Sequence, residues 1–87
     1  MYLAIIKNYI NKLSINDIYN YCKGENINIK EEDAETIFKY IKTYNINILK
    51  DPKYYLNDIK NKVNDDIYNY LINFYEKNKK KINSLFN

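Results

Sequence analysis

Four lysines at positions 77, 79, 80 and 81, interrupted only by Asn78, are the densest positive charge in the chain and the one cluster suited to a polyanion. Cations at this spacing neutralise phosphates, and tyrosines, of which there are eleven, stack on unpaired bases. No arginine accompanies them to make the bidentate guanine contact that dominates base readout. Lysines in the last turns of a C-terminal helix also complement its dipole. Phosphate contact by Lys77, Lys79, Lys80 and Lys81 is therefore the second candidate function, and weak nucleic-acid binding is its content.

Catalytic chemistry finds few residues to work with. The chain has no histidine, only Ser14 and Ser84 as serines, one cysteine and no glycine-rich phosphate loop, so neither a triad nor a common metal cluster can be assembled. Two groups of carboxylates remain, Glu31-Glu32-Asp33 with Glu35, and Asp65-Asp66. Both fall where a helix is expected to start, and a helix N-terminus favours negative charge without any metal or substrate. The first group also lacks the alternating ligands and central glycine of a calcium loop. The expectation is a protein that is not an enzyme, with no catalytic, cofactor or metal site.

Tyrosine offers the remaining chemistry. Its ring is apolar and its tip polar, which is why it is enriched at protein interfaces. Tyr19, Tyr21, Tyr40, Tyr44, Tyr54, Tyr68 and Tyr70 cannot all enter the core of so short a chain, and they are the candidate interaction surface, suited to a partner helix or a second copy of the chain. Codons rich in A and T account for the excess of Ile, Asn, Lys and Tyr equally well, so the count of tyrosines alone is no site. A non-catalytic protein-interaction module is the first candidate function.

The elements that would position these residues follow from apolar spacing and punctuation. Tyr2, Ile5, Ile6, Tyr9, Ile10 and Leu13 share one helix face, so a first helix runs from near the N-terminus to about Lys12. Ser14 with Asp17 forms an imperfect capping box for a second helix that carries Ile15, Ile18, Tyr19 and Cys22 inward and stops at Gly24 in the left-handed conformation. The acids at 31–35 open a third, with Ala34, Ile37, Phe38 and Ile41 as its buried stripe. Asp51-Pro52 starts a short fourth helix burying Tyr55 or Leu56, Ile59 and Val63. Asn64 caps the longest, which turns Ile67, Leu71, Phe74, Tyr75, Ile82 and Leu85 inward.

One phrase occurs twice, Asn26-Ile27-Asn28-Ile29 and Asn45-Ile46-Asn47-Ile48. Its period of two predicts extended straps pinned into the core by the four isoleucines, near enough to form a minimal β-bridge. The helices that follow the two copies differ in capping, length and charge, so no repeating unit surrounds the phrase. A second echo, residues 17–21 against 66–70, is coincidence in a biased composition. The predicted architecture is all-α: one domain over 1–87, a compact bundle of about five short helices with two extended segments at 26–29 and 45–48.

Charge is divided unevenly along this bundle. Residues 1–76 hold ten lysines against eleven acids, whereas 77–87 hold four lysines and no acid, so the net +3 arises entirely in the basic C-terminal helix end. The apolar run from Met1 to Ile6 ends at Lys7, short of a signal-peptide core of roughly 7–15 apolar residues and of a membrane span of about 20. A lone Cys22 on an apolar helix face fits a reducing compartment, and a cytoplasmic protein is expected.

The order of these features resembles the YqfT-like family, small helical proteins of unknown function from low-GC Gram-positive bacteria. The resemblance lies in residues 13–21, the Ile27-Asn28-Ile29 strap, Ala34 to Ile41 and the second Asn-Ile strap, and extends weakly through the last helix. It implies a small cytoplasmic bacterial domain and carries over no activity.

Overall fold

The apolar spacing at the N-terminus closes into α1 (Tyr2–Lys12). The computed structural model describes residues 2–86, and all their side chains except that of Tyr2, whose expected place on the buried face lies outside the described residues. After α1 come α2 (Ile15–Gly24), α3 (Glu31–Tyr44), α4 (Asn47–Lys50), α5 (Pro52–Ile59) and α6 (Asp65–Ser84). The described residues contain no strand, so the fold is all-α, with six helices where five were expected.

Local signals set most of the boundaries. Ser14 and Asp17 make a complete reciprocal capping box: Asp17 Oδ2 accepts the Ser14 N–H at 2.8 Å, and Ser14 Oγ accepts the Asp17 N–H at 3.4 Å. Such a cap is worth about 1 kcal/mol. Asn64 caps α6 by accepting the Asp66 N–H at 2.8 Å, and Pro52 occupies the first turn of α5, where its missing N–H costs nothing. At the end of α2 the expectation fails. Gly24 is the last helical residue and has no positive φ; Asn26, at φ 58°, makes the left-handed turn instead. The Ile27 N–H reaches the Cys22 carbonyl at 2.8 Å and the Asn26 N–H reaches Lys23 at 3.2 Å, the paired bonds of a Schellman motif with asparagine in the glycine position.

The second Asn-Ile phrase is not extended. Asn45 and Ile46 form a turn and Asn47–Lys50 is α4, with the Ile48 N–H on the Asn45 carbonyl and the Leu49 N–H on that of Ile46. The residue after each phrase explains the difference. Leu49 gives Ile46 an apolar partner at i+3, which rewards a helical turn, whereas the first phrase has Lys30 in that place and keeps its period-two form. Ile27 and Ile29 accordingly pack on the core, and no β-bridge joins the two segments.

The core is small. Ile18 and Cys22 of α2, Ala34 and Ile37 of α3, Ile59 of α5, Val63 in the turn after it and Ile67 of α6 are buried together, and among the described residues no large side chain is wholly enclosed. Two polar devices add to it. Lys42 of α3 reaches the C-terminus of α1, where its ammonium donates to the carbonyls of Ile10 at 2.8 Å, which also accepts the Leu13 N–H at 3.1 Å, and of Asn11 at 2.7 Å, in the last turn where a helix leaves carbonyls without an i+4 amide. Tyr40 of α3 donates to Asp58 Oδ2 of α5 at 2.7 Å, with the Tyr55 carbonyl 3.1 Å away as a second acceptor.

A candidate protein-docking groove

Helices α1 and α6 were both expected to turn their whole apolar stripe inward, and neither does. On α1, Ile6, Ile10 and Leu13 are half-buried, but Ile5 and Tyr9 are 66% and 67% exposed. Six apolar positions there cover about 140° of the helix surface, wider than the roughly 100° stripe one packing face needs, so one edge is left over. On α6, Ile67 is buried and Phe74, on the same face two turns later, is 49% exposed. Close packing of α6 is concentrated on α5, and among the described residues none of α6 beyond Leu71 belongs to the core or packs against it.

Between these unpacked edges lies a groove of about 750 Å³. Its floor includes Ile18 and Cys22 of α2, Ile37 and Ile41 of α3, and Ile67 and Leu71 of α6. One wall is the Ile6-Ile10-Leu13 edge of α1, and Ile48 and Leu49 bring α4 to the lining. Tyr9, Tyr21, Tyr70 and Phe74 line it and are all exposed, and the rings of Tyr21 and Phe74 meet edge to face at 6.0 Å. Polar groups are few. Asp17 and Glu25 stand on the α2 side and Lys77 on the α6 side, while Asn45 contributes a buried Oδ1 without a hydrogen-bond partner. Burial pushes the Cys22 thiol up, so the groove's one sulfur is a protonated, weakly reactive group.

The seven tyrosines of the sequence reading fall into three places. Tyr21 and Tyr70 belong to the groove. Tyr40, Tyr44 and Tyr54 join Tyr55 in an aromatic cluster between α3 and α5, with ring centroids 4.7 Å apart for Tyr40 and Tyr44 and 5.1 Å for Tyr44 and Tyr55. Tyr19 and Tyr68 are half-buried against the core. Burial, then the charges of Glu31 and Glu35, raise the pKa of Tyr19; burial, then Glu25, raise that of Tyr21, whose hydroxyl donates to Glu25 at 3.5 Å. The rim residues that spacing assigned to the core, Tyr9 and Phe74, were missed as site residues. The excess width of the α1 stripe was the one sequence signal for Tyr9, and Phe74 had none.

Three members of the lysine run share one side of α6. At 3.6 residues per turn Lys77, Lys80 and Lys81 fall within about 100° of one another, while Lys79 points to the opposite side. Lys79 is engaged by Glu76 at 2.9 Å, an exposed pair one turn long. Of the acids at the start of α3, only Asp33 is buried; Glu31, Glu32 and Glu35 are exposed. Asp33 and Asp66 line a polar cavity of about 280 Å³ with Asn26, Asn28 and Asn64. Both carboxylates sit in first turns, of α3 and α6, where the helix dipole holds them.

A small all-helical domain with an open apolar groove between its first and last helices is the class that this fold and site define. Residues 1–87 match the family described as a protein of unknown function, DUF2624, and the chain belongs to that family. No curated protein and no solved structure matches it. No helix among the described residues is long and apolar enough to cross a membrane.

Proposed function

We propose that the domain is a non-catalytic protein-interaction module and that its docking surface is the groove between α1, α2 and α6. The observation that carries this is the gathering of four exposed aromatic residues, Tyr9, Tyr21, Tyr70 and Phe74, around one apolar groove of about 750 Å³. Scattered exposed apolar residues are ordinary, but a contiguous patch is where soluble proteins meet partners. Aromatic anchors lining a desolvated depression are also the usual seat of binding energy. The setting that suits this function is the cytoplasm of a low-GC Gram-positive bacterium, as the YqfT-like resemblance implies, with Cys22 kept as a free thiol. A photo-crosslinking amino acid at position 70 is expected to trap protein adducts in the native cytoplasm, and the same group at position 54 is not. Equal trapping from both positions, or none from position 70, would remove the groove from the account.

Nucleic-acid binding ranks second, since the shared basic face is limited to Lys77, Lys80 and Lys81 at one helix end and Lys79 already has an acidic partner. A dedicated binder presents a more extensive basic face. Replacing Lys77, Lys79, Lys80 and Lys81 by Glu is expected to leave retention on immobilised DNA at low salt unchanged. A sharp loss of retention would restore the phosphate contacts.

A further inference from the structure

We propose that the occupant of the groove is a second copy of this chain, the two molecules related by a two-fold axis; this rests on the groove being a docking surface. Surface area is the first support. The chain exposes 6584 Å², whereas a folded monomer of 10.6 kDa is expected to expose about 5,500 Å². The excess, about 1,100 Å², is close to the 1,000 Å² or more that each subunit of an obligate homodimer hides. Isolated, the molecule has the surface of one half of such a pair.

Shape then selects the same chain as partner. A two-fold interface must be self-complementary, so each copy has to carry both a depression and something that fills it. Ile5 and Tyr9 stand out from α1 beside the groove that Tyr9 itself lines, an apolar ridge next to an apolar hollow. Of the seven large apolar side chains exposed among the described residues, Tyr54 and Phe86 alone fall outside this ridge and rim.

Sedimentation equilibrium and size exclusion with light scattering on the full chain decide the matter. The expected mass is twice 10.6 kDa. Phe74→Asp and Tyr9→Asp, with helicity checked by circular dichroism, should each weaken the dimer by more than about tenfold, as loss of an aromatic anchor does. Tyr54→Asp, exposed on another face, should leave it intact. A dimer indifferent to Phe74→Asp and Tyr9→Asp would overturn the proposal by placing self-association elsewhere. A monomer at every concentration would overturn the second copy as occupant, and crosslinks from position 70 to a different protein would show that the groove itself still docks.

Discussion

Asn26 and Asn45 open the two copies of the repeated phrase, and both have positive φ, 58° and 51°. What the phrase repeats is thus a helix-ending asparagine, the residue besides glycine that most readily takes such angles. Asn45 is the more strained: φ 51° with ψ −131° is the first central position of a type II′ turn, where glycine is usual. Its Nδ2 is tied to Asn11 at 3.1 Å, which offsets part of that cost. Asn45→Ala should therefore be less stable than Asn45→Gly by about 1 kcal/mol in urea unfolding, because both variants lose the bond but only alanine keeps the strain. Equal stability would mean that the turn is unstrained. Tyr40 is the other telling residue. Tyr40→Phe leaves the half-buried Asp58 carboxylate without its 2.7 Å donor and should cost about 1–3 kcal/mol. Burial, then the bond to Asp58, hold the Tyr40 proton well above the ordinary tyrosine value, and Tyr19 and Tyr21 shift the same way. The folded state binds these protons more tightly than the unfolded chain, so their contribution is complete below about pH 10 and is lost as pH rises beyond it. Melting temperature should be flat from neutral pH to about 10 and fall above it, the fall being smaller in Tyr40→Phe.

At the scale of the element, what a few adjacent residues decide was legible in the sequence. The Ser14–Asp17 box, the Pro52 start and the Asn64 cap are local hydrogen-bond chemistry, and each falls where its residues announced it. Gly24 was misjudged because glycine outranks asparagine as a helix terminator only when it stands at the turning residue, and the chain turns two residues later. With no positive φ and nothing within 4 Å of an added Cβ, Gly24→Ala should stabilise the protein by about 0.5–1 kcal/mol. A loss of stability would mean that α2 ends at Gly24 after all. The second phrase was misjudged because period two and a single helical turn cannot be told apart over four residues, and Leu49 decided it. On α6, spacing makes Ile67 and Phe74 equivalent, yet only Ile67 is buried in the core, while Phe74 keeps half its surface exposed beside Tyr21. Ile67→Ala is expected to cost about 2–5 kcal/mol and Phe74→Ala under about 0.5 in the isolated monomer. Comparable costs would show that Phe74 belongs to the core.

The whole molecule joins a thin core to an unfilled groove. The candidate site was the least legible part of the sequence, because periodicity records which residues are apolar and says nothing about whether another element arrives to cover them. The seven tyrosines could be named in advance, but their division into a groove rim, an α3–α5 cluster and a core margin depends on how six helices pack. Lys42 capping α1 is of the same kind, a contact across thirty-odd residues with no local signal. Hydroxyl-radical footprinting of the purified protein at its working concentration, read residue by residue, tests most directly whether the rim is a protein-binding surface. Tyr9, Phe74 and Tyr54 are 67%, 49% and 61% exposed in the single chain. With the rim covered by protein, Tyr54 is labelled strongly while Tyr9 and Phe74 are protected; labelling of all three in proportion to those exposures would contradict it.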